Sequence, residues 1–389
     1  MKKSVFISLA LLLSMAATAQ SNKQKLTITT KHGKVHTYTT GETIDSFRVL
    51  KDVGIKVYPK GKKVSDDYLL SQVSYTLTDE PAPTPNPSGK NANRNTAADL
   101  QKNREGWRLE FPRFYQGTNK IYEITHFTTE NGERMNNYSI EWDATRKANR
   151  WTCYQMYKKI MQPNVDRGGK FKQDPDIPSD MQTTLNDYKG SGFARGHLCP
   201  SGDRRYSIEQ NDQTFYLSNM QPQIQGHNGG VWQNLEGNVR TWAGKCDTLY
   251  VVKAATIDKA EYICNAADIE NIAKAEGKSP SSLHFPGIVP KYFYMALLSY
   301  DKPTKKYRAL GIWSPHYKQS QTEYITIEEL QKRTGIDFFC NLDDDIEKAV
   351  EATVDAGYWG INIPSKPSLS GKKQVKGKKR KSVTLRKQR

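Results

Sequence analysis

Apolar and polar residues alternate in short runs across residues 26–77: Leu26-Thr-Ile28, Val53-Gly-Ile55-Lys-Val57 and Val73-Ser-Tyr75-Thr-Leu77. A period of two puts the apolar members on one face of a strand. His32-Gly33 and Lys60-Gly61 supply turn chemistry between runs, so residues 20–78 are expected to form a small β-rich module. The pattern then breaks: Pro81, Pro83, Pro85 and Pro87 alternate with small residues, and Gly/Asn/Arg follow. Alternating prolines favour an extended spacer, and residues 79–99 are expected to be a linker.

A longer patterned region occupies residues 100–364. Strands are expected at 121–124, 138–142, 150–157, 249–252 and 292–298, with a turn near 143–149. Helices are expected at 260–275 and 326–335; in the second, Thr326 is the N-cap, Glu329 the capping-box partner and Gly335 the stop. The class this predicts is α+β, a mixed antiparallel sheet core preceded by the small β-rich module. After Pro364 almost nothing apolar remains, and residues 365–389 are expected to be disordered.

The most chemical stretch lies at 192–242. Gly229-Gly230 opens an expected helix running to residue 243. Asn228, Trp232, Glu236 and Arg240 recur every four residues, each step turning only ~40° around a helix, so they form one row. Val231, Leu235, Val239 and Trp242 form an adjacent apolar stripe. Alone, this describes an ordinary amphipathic helix. Upstream, however, stand His197 in Arg195-Gly-His-Leu-Cys-Pro and Asn219 in Tyr216-Leu-Ser-Asn-Met.

Composition adds a partner. The formal charge is +17, and residues 366–389 hold 11 Lys/Arg and no Asp/Glu, leaving +6 elsewhere and about +4 without Lys2 and Lys3. The tail is either a solvated solubiliser or a nonspecific grip on a polyanion, since Lys/Arg runs gain affinity by releasing counterions from phosphates. Lys2-Lys3, the leucine-rich run at 5–15 and Ala17-Thr-Ala19 have the layout of a cleaved signal at residues 1–19. No later run approaches the ~20 apolar residues of a membrane span, so no membrane anchor is expected. These features predict export to the periplasm or the exterior. Five cysteines in an oxidising compartment allow one or two disulfides and leave at least one thiol over; without a C-x-x-C pair, a zinc ribbon is disfavoured.

A histidine, oxygen donors on a helix and nearby arginines are the parts that phosphodiester hydrolysis requires. A neutral imidazole takes a proton near pH 7, and a hard divalent cation such as Mg2+ neutralises developing charge through a few oxygen ligands. The scarcity of acidic residues disfavours a two-metal carboxylate site.

Arg-Gly-His-Leu-Cys-Pro, Tyr-Leu-Ser-Asn-Met-x-Pro-Gln and Asn-Gly-Gly-Val-Trp-x-x-Leu-Glu-x-x-x-Arg, in this order and spacing, resemble the DNA/RNA non-specific endonucleases, the ββα-metal nucleases. The likeness covers residues 107–363. It implies a ββα-metal active-site motif, DNA and RNA as substrates, and 5′-phosphate ends. It implies His197 as general base, Asn228 as the direct ligand of Mg2+ (or Mn2+), and Glu236 as a ligand through water. Asn219 would orient the site, Arg240 would meet phosphate, and Arg195 would brace the loop or contact phosphate. A further phosphate-binding residue is expected among Arg167, Lys170 and Lys172. The family's aspartate before Arg-Gly-His is Ala194 here, and Asp203 is a candidate to take its task. The rival reading is a catalytically impaired nucleic-acid-binding protein that grips through its basic tail. His227, Cys199 and the scattered His32, His36, His126, His284 and His316 are expected to be structural or exposed, the last three without partners.

Overall fold

The computed structural model describes residues 24–79 apart from 32–33, 40–42, 51–53, 62–65, 70 and 72, and residues 91–363 apart from 131 and 318–320. The expected leader (1–19), the proline run and the basic tail (365–389) lie outside the described residues.

Two three-stranded antiparallel sheets form in residues 24–79. One has the order β2 (Val35–Thr39), β1 (Gln24–Thr30), β6 (Val73–Asp79); the other runs β3 (Ile44–Leu50), β4 (Gly54–Pro59), β5 (Asp66–Leu69). Leu26, Ile28, Ile55 and Val57 pack into one small apolar cluster, as the period-two runs require.

The expected linker ends early. Residues 91–98 are strapped to the large domain: Asn91 Nδ2 donates to Cys340 O at 2.9 Å, Ala92 N to Asp344 Oδ1 at 3.0 Å, and Asn95 Nδ2 to Gly106 O at 2.9 Å and Pro112 O at 3.1 Å. An asparagine amide both donates and accepts, so a segment that composition presents as a spacer satisfies buried backbone groups instead.

The large domain is built on seven antiparallel strands. They are β7 (Ile121–Glu130), β8 (Glu133–Asp143), β9 (Ala148–Met156), β12 (Thr248–Ala255), β13 (Tyr292–Asp301), β14 (Lys306–Pro315) and β15 (Glu323–Ile325), in the order β15-β14-β13-β12-β9-β8-β7. Strands β10 (Ala194–His197) and β11 (Met220–Gln223) pair with each other outside this sheet. Both sheet faces are covered, which is why residues 292–298 read as a continuous apolar run. On one face the helix Gln233–Ala243 lays Leu235, Val239 and Trp242, with Trp232 before it, against Tyr154, Val251, Ala255 and Phe293. On the other, Trp151, Val252, Tyr294 and Trp313 meet Phe111, Phe114, Phe338 and the helix Ile327–Thr334. The architecture is α+β.

Local chemistry sets the helix ends. Thr326 Oγ1 accepts from Glu329 N at 3.1 Å, and Gly335 closes the helix at φ 77°, where a side chain would be strained. The reciprocal half of the box is absent, because Glu329 accepts from Arg333 Nε at 3.0 Å. The helix expected from residue 260 begins instead at Ala266. Asn265 and Asp268 form a capping box there, and Ala260–Tyr262 is a separate 3-10 turn.

Candidate active site

Strand β10 ends on His197, β11 runs antiparallel beside it (His197 opposite Met220), and the helix Gln233–Ala243 follows after one wide turn. This is a ββα unit. Residues His227–Trp232 take a π-helical turn rather than the expected α-helix. The sixteen-atom loop of such a turn changes the azimuth of Asn228, and turns of this kind recur at functional sites. Trp232, placed by periodicity in the polar row, is buried in the main core instead. Asn228 stays half-exposed, and among the described residues its side-chain amide makes no hydrogen bond.

His197 lies in an aromatic slot. Its ring centroid is 5.7 Å from Phe171 and 5.2 Å from Phe215, nearly perpendicular to the latter. A guanidinium covers each wall: Arg195 lies 4.2 Å over Phe171 and Arg167 5.5 Å over Phe215. Gly169 makes the slot possible, because its φ is +86° and a Cβ there would stand 2.3 Å from the Phe215 ring. Although the imidazole keeps some surface open to solvent, protein walls it in on most sides. Burial, then the charges of Arg167, Lys253 and Arg195, push its pKa down to about 3. Its Nε2 is enclosed and has no hydrogen-bond partner. The ring is therefore neutral near pH 7.

Asn219 is fully committed to the scaffold. Its Oδ1 accepts from Cys199 N at 2.8 Å, and its Nδ2 donates to Cys199 O at 2.8 Å and Thr214 O at 2.9 Å. It thus braces the chain two residues beyond His197.

Glu236 faces the same region from the helix. Burial and the neighbouring Asp203 raise its pKa to about 7, against the opposing pull of Lys253, Arg240 and Arg167. Arg240, one turn on, donates from Nη1 to Asp203 Oδ1 at 2.9 Å. Asp203 therefore holds the helix arginine, while Ala194 pairs with Gln223 across the hairpin. Of the three upstream cations, Arg167 is the one whose charge acts on both His197 and Glu236. Lys172 turns to the Tyr216 ring at 5.3 Å, and Lys170 is exposed.

Hard oxygen donors suit a divalent cation of the Mg2+ type. A half-exposed amide without a partner and a carboxylate that burial holds partly protonated fit such an ion, whose charge would favour the ionised carboxylate. Two other clusters bring three His/Asp/Glu ligand atoms together among the described residues: His126/Asp174/Asp176 and Asp337/Glu347/Glu351. Neither includes a residue of the ββα unit.

His126 and His316 depart from the expected roles, whereas His227 and Cys199 keep theirs. His126, expected to lack partners, has Nε2 3.0 Å from Asp174 Oδ2 and Nδ1 3.6 Å from Asp176 Oδ2. His316 also has partners: its Nε2 accepts from Ile224 N at 2.8 Å, and Nδ1 lies 2.8 Å from Pro290 O. His227 is buried between Gln223 and Ser314. Cys199 is a packed thiol, its pKa pushed up to about 12 by burial. All five cysteines are unpaired. Lys253, which no motif contains, is the site residue that sequence reasoning missed.

The sequence model of the DNA/RNA non-specific endonuclease family matches residues 118–345. The chain belongs to this family. Among curated relatives, mitochondrial nuclease EXOG of Xenopus laevis is 29% identical over 220 residues, 54% of this chain and 58% of its own length. Nuclease C1 of Cunninghamella echinulata is 32% identical over 218 residues, 53% of this chain and 81% of its own. A nuclease of Nostoc sp. is 26% identical over 232 residues, 57% and 77% respectively. The chain thus spans little more than half of the frog protein's length. The same comparisons correct the expected periplasmic or extracellular location. The frog, mouse and human EXOG relatives and human endonuclease G are named mitochondrial nucleases, so the leader-like pattern does not carry that destination. No helix among the described residues is long and apolar enough to cross a membrane.

Proposed function

We propose that this member of the DNA/RNA non-specific endonuclease family is a divalent-cation-dependent endonuclease. It hydrolyses phosphodiester bonds of DNA and RNA with little sequence preference and leaves 5′-phosphate ends. The observation that carries the reading is His197, neutral and walled by Phe171 and Phe215, under the charges of Arg167 and Lys253 that also act on Glu236, whose helix carries Arg240 and follows the open amide of Asn228.

His197 takes the proton of the attacking water. Its Nε2 is sealed inside, which leaves Nδ1 to face that water. The surrounding Arg167, Lys253 and Arg195 disfavour a lasting imidazolium, so the proton returns to solvent; as the water oxygen bonds to phosphorus the P–O3′ bond breaks, and the departing 3′ oxygen takes a proton from solvent. Arg240 and Arg167 bind phosphate oxygens, and Arg195 holds the slot through Phe171. Asn219 fixes the loop beyond the base. Asn228 directly and Glu236 through water would hold Mg2+ or Mn2+, which supplies charge neutralisation at the phosphate. Contacts of this kind go to the backbone, which carries no direct sequence information, and this accounts for tolerance of base identity.

The test is cleavage of plasmid DNA and of single-stranded RNA across a Mg2+ and Mn2+ series, with end analysis of the products. Both polymers should be cut, with ends that accept a label from polynucleotide kinase only after phosphatase treatment. Ends labelled without phosphatase, or cutting that ignores the cation, would refute the proposal.

A further inference from the structure

Lys253 occupies β12 on the same face as Val251 and Ala255, which pack under the site helix. It is 0% exposed, and its Nζ has no hydrogen-bond partner. An ammonium in such a place is costly unless a carboxylate accompanies it. Here the carboxylate is Asp203, whose Oδ2 lies 3.8 Å away, just outside hydrogen-bond distance.

Asp203 is itself buried and serves two other groups. Its Oδ1 accepts from Arg240 Nη1 at 2.9 Å, and its Oδ2 from the Tyr154 hydroxyl at 2.8 Å. Two cations therefore share one buried carboxylate, in unequal ways. Arg240 is bonded to it, but its side chain is 38% exposed and faces the reaction region. Lys253 is sealed in and unbonded. If Arg240 turned to a substrate phosphate with no other cation present, Asp203 would be left as a lone buried charge. With Lys253 beneath it, Asp203 stays compensated.

We propose that Lys253 is the standby counter-charge of Asp203, and that it releases Arg240 to the phosphate of the bound nucleic acid. Lys253 is a positioning residue: it touches Asp203 and Tyr154, and acts on the substrate through Arg240. The inference rests on Arg240 as a phosphate-binding group.

Steady-state cleavage of a short DNA duplex under saturating Mg2+ tests it. In Lys253→Met, Arg240 stays held by Asp203, and KM should rise roughly tenfold, about 1.4 kcal/mol, with a smaller change in kcat. Adding Asp203→Asn frees Arg240 again, so the double variant should recover most of the wild-type KM. A purely structural lysine predicts the opposite, a double variant no better than Lys253→Met. Should Lys253→Met fail to fold, Asp203→Asn alone and the double variant should show the same KM, because Lys253 has no charge left to balance for Arg240 once Asp203 is neutral; its charge on His197 and Glu236 would show in kcat instead. An Arg240→Gln arm separates the two ideas. KM raised by Arg240→Gln but unmoved by Lys253→Met overturns the standby role alone; KM unmoved by Arg240→Gln overturns the phosphate role of Arg240 and the inference with it.

Discussion

Two asparagines that stand close together in the motifs do different work. Asn219 satisfies three backbone groups of a buried turn, so Asn219→Ala should cost roughly 3 kcal/mol or more in chemical denaturation. Asn228 has an unengaged amide, and Asn228→Ala should leave stability within about 0.5 kcal/mol while removing cleavage. Equal stability losses in the two variants would contradict this division. His197 offers a second check by imidazole NMR. Its folded pKa is depressed by burial to about 3 from the ordinary imidazole value of 6.5, so the ring stays neutral from pH 8 down to pH 5. A titration near 6.5 would contradict the enclosed slot. By linkage, the stability that the neutral ring preserves is present above 6.5 and is lost as pH falls from there toward 3. The positions that the motifs single out, His197, Asn219, Asn228, Glu236 and Arg240, were legible in the sequence as members of one ββα unit. Lys253 and His126 were not, because their partners Asp203, Asp174 and Asp176 lie far along the chain and meet them only in the fold.

Helix boundaries were legible where the cap is local. Thr326 and Gly335 mark both ends of Ile327–Thr334, whereas the π-turn at His227–Trp232 defeats a four-residue period, since periodicity assumes the α geometry it departs from. The hairpin strands β10 and β11, four residues each, are too short to show any alternation. Residues 91–98 read as a spacer because composition cannot reveal amides that bond to residues 250 positions away. The helix Asp344–Glu351 carries a prediction of its own. Burial raises Glu347 to about 7 and Glu351 to about 8, from 4.5. Between those values the folded protein binds more protons than the unfolded chain, so stability falls as pH rises from about 4.5 to 8. Glu351→Gln removes one such group and should raise Tm at pH 8 by roughly 2–4 °C, with little change at pH 4.5. A lower Tm at pH 8 would show that the carboxylate is needed ionised.

At the scale of the whole molecule, the seven-stranded sheet was legible as several apolar runs, but their order and the cover on both faces were not. The +17 charge is unevenly placed: 11 Lys/Arg fall within residues 366–389. Removing that tail should weaken DNA binding and flatten its salt dependence while leaving cleavage intact, because each phosphate contact contributes to the slope of affinity against salt. An unchanged slope would mean the ββα domain alone grips the polymer. The central claim is that His197 performs a cation-dependent cleavage, and nicking of supercoiled plasmid by wild type and His197→Ala, with Mg2+ and with EDTA, tests it most directly. The account predicts nicking by the wild type in Mg2+, none in EDTA, and a rate lower by roughly 10²–10⁴ in His197→Ala. A wild-type protein that retains plasmid without nicking it, or a variant that cuts at the wild-type rate, would contradict it.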